Sequence, residues 1–434
     1  MNENCVFSQK SFMDNMEIKR DIHLNRLINK RNNRMIKVIT GLRRSGKSYL
    51  LFKLFADYLK SEGVAEDHII AVNLEDRRNR ELRAPDRLLA YLDSQFKDNG
   101  MHYILLDEVQ LVNEFEDVLN SFLHVPNADV YVTGSNARFL SKDVITEFRG
   151  RGDEIRIRPL SFKEMLSARP GVREETVLIE YMTYGGLPQA VLTEDIKEKH
   201  QYLTGLFTHT YLRDIRERHG IRNDDDLDEL ISIISSSIGG LINPQKLMNI
   251  FKSVKHSEIT RNTIKRYLEH LEDAFLIEKA LRYDIKGKRY IDTPFKYYFD
   301  DLGLRNARLN FRQTEMTHLM ENMVFNELKL RGYSVDVGQV TQVAVAQDGK
   351  RERRNLEVDF VCNEGYRRNY IQVAYRLPDE EKVNQELNSL RRIDDSFQKI
   401  VIVGDHYPKY RNDDGILFMS IYDFLLDEAS LDQV

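Results

Sequence analysis

Apolar residues in the first 160 positions gather into short runs of strand length: 35–40, 68–74, 101–107, 129–134 and, more alternating, 154–158. Such runs suit strands buried on both faces of a sheet. Between them, 49–55 and 85–97 carry helical spacing. The second has Leu88, Leu89, Leu92 and Phe96 on one face and Pro85 at its start, where proline is tolerated. Strands alternating with helices predict a parallel α/β sheet with its ligand at the carboxyl ends of the strands. From residue 161 the pattern turns helical. Ser161 and Glu164 have capping-box spacing, and helical periodicity continues to about 222, broken by the rigid turn Gly185-Gly186-Leu187-Pro188. Further helices are predicted at 227–236, 244–251 and 260–274, the last with Ile264, Tyr267, Leu268, Leu271 and Phe275 on one face, and a hairpin at 276–281 and 286–291. Beyond it come a helix at 321–328 closed by Gly332, strands at 356–361 and 370–375, a helix at about 379–392 and a strand at 399–403.

The first strand feeds Gly41-Leu42-Arg43-Arg44-Ser45-Gly46-Lys47-Ser48, and a helix follows at once. GxxxxGKS between strand and helix is the phosphate-binding P-loop in its required setting. Gly41 and Gly46 let the backbone curl until successive N–H groups face one anion, and the helix adds its positive end. Lys47 is expected to reach the β- and γ-phosphates of ATP, and the Ser48 hydroxyl to ligate Mg²⁺. Arg43, Arg44, Ser45 and Tyr49 complete the predicted nucleotide contacts.

The run 101–106 ends in Asp107-Glu108. Downstream of a P-loop this is the Walker B pattern, in which Asp107 holds Mg²⁺ and Glu108 polarises the attacking water. Ser135 or Asn136, at the end of the fourth strand, are candidates for a polar sensor of the γ-phosphate, with Asn136 carried as catalytic. In Phe148-Arg149-Gly150-Arg151-Gly152-Asp153, Arg151 is a candidate arginine finger, in cis or across a subunit boundary.

Composition narrows the setting. At 434 residues the chain calls for two to four domains. Cys5 and Cys362 are its only cysteines and its formal charge is −5. No disulfide framework is expected, no run approaches a membrane span, and the residues fit a cytoplasmic protein. Against that acidic balance, residues 242–296 hold twelve Lys and Arg and seven Asp and Glu, a local +5. Three helices followed by a hairpin with a basic tip is the winged-helix plan, and the local charge points to duplex DNA as partner.

In the last segment an acidic residue on a helix, an Asp on a strand and a polar residue on the next form the layout of PD-(D/E)XK nucleases. Glu321, Asp359 and Gln372 match those positions. Ala374 stands where the water-activating lysine belongs, and Arg376, two residues on, is a poor base. A degenerate nuclease fold, used for binding a protein partner or for regulation, is the expectation.

Together these residues resemble a family of bacterial and archaeal AAA-type ATPases that join a P-loop core, a winged helix and a restriction-endonuclease-like domain. The marks are GLRRSGKS at 41–48, ILLDEVQ at 104–110, TGSNARFL at 133–140 and GGLP at 185–188. They continue with YYFDDLGLRNA at 297–307, ENMVFNEL at 321–328, EVDFV at 357–361 and YIQVAY at 370–375. The resemblance extends to signal-transducing ATPases in which a glycine–x–proline turn contacts nucleotide, and it implies that role for Pro188. The expected organisation is a P-loop core over 1–160, a helical lid over 161–222, a winged helix over 223–305 and a nuclease-like unit over 306–434, with homo-oligomers compatible with it.

Overall fold

Five strands of the first 160 residues pair in parallel: β1 (Ile36–Gly41), β2 (Ile69–Asn73), β3 (His102–Asp107), β4 (Ala128–Thr133) and β5 (Gly152–Ile157), in the order β2-β3-β4-β1-β5. β1, β3 and almost all of β4 are buried along their length, which is why their apolar runs are continuous rather than alternating. One face carries Ile36, Val38, Ile104, Leu106, Val130 and Val132, packed under the helices Pro85–Gln95 and Phe115–Phe122. The other carries Ile39, Tyr103, Leu105, Tyr131 and Ile155 under the helical rod that leaves the P-loop. That rod begins at Lys47–Tyr49, passes through a π-helical turn, Leu50–Phe55, and ends at Ala56–Ser61.

This computed structural model describes residues 18–134, 148, 150–221, 224–255, 258–312, 315–345 and 351–432. The chain divides into two units. The first is Met1–Leu160 with Leu187–Leu192 and Asp273–Phe275, and the second is Ser161–Gly186, Thr193–Glu272 and Leu276–Val434.

The second unit opens with the helix Phe162–Ser167, whose capping box forms as its sequence predicts: Ser161 Oγ accepts the Glu164 N–H and Glu164 accepts the Ser161 N–H. Three helices, Asp224–Ser236, Pro244–Lys255 and Arg261–Asp273, precede a hairpin of β6 (Ile277–Asp284) and β7 (Arg289–Phe299). Ile242, between the first two helices, pairs with Phe295 of the hairpin through two backbone hydrogen bonds of 2.7 and 3.1 Å. The second hairpin strand is nearly twice as long as its sequence signal, because Tyr297, Tyr298 and Phe299 continue it with every residue buried.

The hairpin is also part of a larger sheet. With β8 (Ser334–Val345), β9 (Arg351–Glu364), β10 (Arg367–Ala374), β11 (Gln398–Val403), β12 (Tyr410–Arg411) and β13 (Leu417–Ser420) it forms eight strands in the order β12-β13-β11-β10-β9-β8-β6-β7. β6 joins through parallel pairing of Arg282–Asp284 with Val337–Gln339. The proposed division at residue 305 therefore cuts through a continuous sheet. The helix Met316–Arg331 is buried from Leu319 to Leu328. Almost wholly covered, it shows little amphipathic signal, and only its middle half was legible from periodicity.

Candidate functional site

The P-loop leaves β1 at Gly41, whose φ is +135°. A Cβ there would lie 2.0 Å from the Ile157 carbonyl oxygen of β5, so only glycine fits. Arg44 (φ +65°) and Gly46 (φ +94°) then turn left-handed and close the loop. Ser45 is buried, Arg43 half-buried, and Arg44 and Tyr49 exposed. Lys47 is 5 % exposed, and its ammonium donates to the Gly41 and Leu42 carbonyls at 3.1 Å each. Burial brings it down to about 8, against the pull of Glu108 and Asp107.

Three strand ends meet this loop. Asp107, at the end of β3, accepts the Ser48 hydroxyl at 3.0 Å and the Thr133 hydroxyl from the end of β4. Burial raises its carboxyl, and these two hydrogen bonds oppose the rise. Glu108 sits in a left-handed turn (φ +56°), with its N–H donating to Thr133 Oγ1 at 3.1 Å and its carboxylate accepting from Gln110. Pro188 starts the short helix Pro188–Leu192, and its Cγ is 3.8 Å from where a Cβ on Gly46 would stand. Lys47, Ser48, Asp107, Glu108 and Pro188 thus all lie around one loop.

Two participants had no sequence signal of their own. Thr133 reads as the last residue of an apolar strand, yet its hydroxyl orients both acidic residues. Arg20, buried ahead of the helix Asp21–Asn29, donates to the Ser45 carbonyl at 2.9 Å and the Arg158 carbonyl at 2.6 Å. It ties the P-loop to the end of β5, a link that only the fold creates. Arg20, Arg26 and Arg158 add to the burial of His23, holding its imidazole well below its usual range.

Arg151 is a correction. It is exposed just before β5, and its carbonyl accepts the Ile36 N–H, so it lies at the amino end of β1. Five strand residues at about 3.3 Å each put roughly 17 Å between it and Gly41. The structure therefore does not bring Arg151 to the P-loop of its own chain. Asn136 and Ser135 lie outside the described residues.

In the second unit, Glu321 of the helix Met316–Arg331 and Asp359 of β9 are brought together, and the lysine beside them comes from β7 rather than from position 374. Lys296, from β7, places its ammonium 2.9 Å from Glu321 Oε1 and 2.6 Å from Glu357 Oε1, and is itself 2 % exposed. Tyr298 donates to Glu321 at 2.6 Å. Burial alone would lower the Lys296 ammonium, but Glu321, Glu357 and Asp359 hold it above the usual lysine range. Glu321 is drawn down to about 2 against its burial, chiefly by Lys296, whereas burial and Glu321 push Asp359 well up. Asp359 also accepts the Val373 N–H at 2.8 Å, and Gln372 donates to Glu386 at 3.0 Å. The positive charge between the carboxylates is supplied in this structure by Lys296. Lys296 was not legible because it arrives from a strand 63 residues before Asp359.

Gly186 and the residues just before it also meet the YYFDDLGLRNA motif in this unit. Asp301 accepts the Gly186 N–H at 2.8 Å, and Asn306 donates to the Met182 and Thr183 carbonyls at 2.9 and 2.8 Å.

A strand–P-loop–helix unit on a five-stranded parallel sheet, with paired acidic residues at the end of β3, defines an AAA-type P-loop ATPase. Comparison agrees: residues 33–166 match the family model described as an AAA domain, and residues 175–315 match one described as a domain of unknown function. An uncharacterised protein of Haemophilus influenzae is 36 % identical over 420 residues, 95 % of this chain and the whole of that protein. Another, from Methanocaldococcus jannaschii, is 30 % identical over 400 residues, 88 % of this chain and 84 % of that protein. The chain belongs to the family that these two proteins share. Among solved structures, a Walker-type ATPase of Pyrococcus abyssi overlays with a TM-score of 0.48 at 16 % identity, covering 68 % of this chain and 96 % of that one. No helix among the described residues is long and apolar enough to cross a membrane.

Proposed function

We propose that the protein is an ATP-driven conformational switch that associates with duplex DNA and does not cut it. The observation that carries the ATPase reading is the convergence of Lys47, Ser48, Asp107, Glu108 and Thr133 around a loop that only glycine at 41 permits. Ser48 and Asp107 would hold the Mg²⁺ of ATP, which supplies charge neutralisation at the β- and γ-phosphates. Lys47 exchanges two neutral carbonyl acceptors for phosphate oxygens, and the half-buried Arg43 adds positive charge beside it. Glu108, fixed by Thr133 and Gln110, orients the attacking water and takes its proton. Pro188 stands beside Gly46, so rearrangement of the P-loop on hydrolysis reaches the Gly186-Leu187-Pro188 turn directly.

Support for DNA comes from the three-helix and hairpin arrangement with its Ile242–Phe295 pairing. Arg261, Lys265 and Arg266 are exposed on the third helix, and Lys286, Lys288 and Arg289 at the hairpin turn. Exposed cations on such elements suit phosphate contacts and imply a salt-dependent affinity. The Lys296 ion cluster supports a nuclease-like unit that is catalytically silent.

Steady-state ATP hydrolysis with and without duplex DNA, with Lys47→Ala as the blank, tests this reading. Stimulation by DNA that fades with added salt is the expected result. Turnover indifferent to DNA removes the DNA part, and turnover no higher than the blank removes the hydrolytic part.

A further inference from the structure

Among the described residues, one group of three side chains outside the ATP and Lys296 sites has the makeup of a metal site: His68, Asp98 and His102, with ligand atoms all within 4.8 Å of one another. Three separate segments supply them. His68 leads into β2, the edge strand of the ATPase sheet, and His102 is the first residue of its neighbour β3. Asp98 lies in the loop between the helix Pro85–Gln95 and β3. The group is at the amino ends of the strands, roughly 17 Å along β3 from Asp107. It is thus separate from the nucleotide site.

His102 is fully buried, which is unusual for a residue beginning a strand. Its Nδ1 lies 2.8 Å from the Gly100 carbonyl, an acceptor only, so Nδ1 carries the proton. Nε2 is then left with a bare lone pair, and that buried atom has no hydrogen-bond partner. A buried acceptor without a donor costs free energy unless a proton donor or cation reaches it. Donation of one ring nitrogen to a backbone carbonyl while the other stays free is the arrangement that metal-ligating histidines adopt.

The other two ligands are already at coordination spacing. His68 Nε2 and Asp98 Oδ2 are 3.2 Å apart. Two ligands each about 2.0–2.1 Å from one ion span about 3.0–3.4 Å at octahedral or tetrahedral angles. Asp98 is held in place by accepting the Gly100 N–H at 2.7 Å. The His68 and His102 rings stack with centroids 4.3 Å apart, and the Phe96 ring lies 4.7 Å from that of His102, so the buried side of the site is apolar and a turn of the more exposed His68 ring brings both imidazoles onto one ion. Asp98 is exposed, which leaves a side open for a water ligand.

The geometry points to a second cation site, formed by His68, Asp98 and His102, that takes a transition metal of the Zn²⁺ class and pins the edge strand β2 to β3. Two imidazoles and one carboxylate favour such ions over Mg²⁺, which prefers oxygen ligands throughout. Binding there shifts no bond of the ATP reaction. It stabilises the amino edge of the sheet.

The test uses the full chain without an affinity tag, stripped of metal and free of nucleotide. Co²⁺ is titrated while its ligand-field absorption is followed, and Zn²⁺ is then added while thermal unfolding is recorded. His102 is buried, and its replacement can disturb folding. The informative variants are therefore Asp98→Asn and His68→Gln, with unchanged far-UV circular dichroism and ATP binding as the check on fold. The expected result is one equivalent of Co²⁺ displaced by Zn²⁺, a rise in melting temperature of at least about 3 °C, and affinity at least about tenfold weaker in each variant. Absence of Co²⁺ absorption in the wild type overturns the proposal, as does equal binding in the wild type and both correctly folded variants.

Discussion

Lys47 and Lys296 are both buried lysines facing acidic side chains, yet burial has opposite outcomes for them. Among the described residues the Lys47 ammonium donates to the neutral carbonyls of Gly41 and Leu42, and burial lowers it to about 8. Lys296 is clasped by Glu321 and Glu357, with Asp359 behind them, and is raised instead. An ammonium held by neutral acceptors retains most of its attraction for an incoming polyanion. One already matched by two carboxylates has less to offer an incoming anion. The first arrangement leaves the ammonium available to a ligand, and the second engages it within the chain.

The strongest way to break this contrast is to remove the closing charge. Lys296→Met leaves the buried Glu321 without its ammonium partner, a loss of about 3–5 kcal/mol by the usual cost of breaking a buried pair. Urea unfolding should show it, and adding Glu321→Gln should recover a large part. If Lys296→Met unfolds like the wild type, the ion cluster contributes nothing to the fold. The variant should also gain stability from Mn²⁺ where the wild type does not.

Next in size is the P-loop itself. Lys47→Ala should lower ATP turnover at least about a hundredfold, the scale of losing one charged transition-state contact. Glu108→Gln should lower turnover by about 10²–10⁴ while nucleotide binding persists. An equal loss of binding in Glu108→Gln would mean that this carboxylate holds the site together rather than directing water. Arg151→Ala gives the smallest effect: less than about twofold on turnover in the monomer, since the side chain lies at the far end of the sheet. A larger drop that depends on protein concentration would identify a finger acting across subunits.

These residues also show what a sequence makes legible. The P-loop, the Asp107-Glu108 pair and their strands follow from local pattern, because strand, turn and helix are contiguous in the chain and each has its own spacing. The capping box at Ser161 was readable for the same reason. Arg20 and Lys296 were not. Each acts on groups far away in sequence, Arg20 on Arg158 and Lys296 on Asp359, and nothing local distinguishes them from any other basic residue. β8 carries no clear alternation in sequence although Val335, Val337 and Val340 are buried along it. A glycine at 338 and a break in register between Asp336 and Gly338 interrupt its alternation. Arg151 failed in the opposite sense: a persuasive local pattern was placed by the sheet at the wrong end.

The most delicate test of the contrast is pH. Unliganded Lys47 loses its proton near pH 8, whereas ATP phosphates favour the charged form, so binding above that value must take up a proton. ATP affinity should be flat from about pH 6 to 7.5 and then fall, by up to tenfold per pH unit, as the pH rises through 8. Without nucleotide the sign for stability reverses. The folded value lies below the 10.5 of a free lysine, so the cost of keeping Lys47 charged is fully present below 8 and relieved as pH climbs towards 10.5. Calorimetric titration in two buffers of different ionisation enthalpy reads the proton uptake directly. Zero uptake at pH 8.5 would place the Lys47 ammonium in the free protein far above 8, and the two lysines would then differ in their partners but not in their charge.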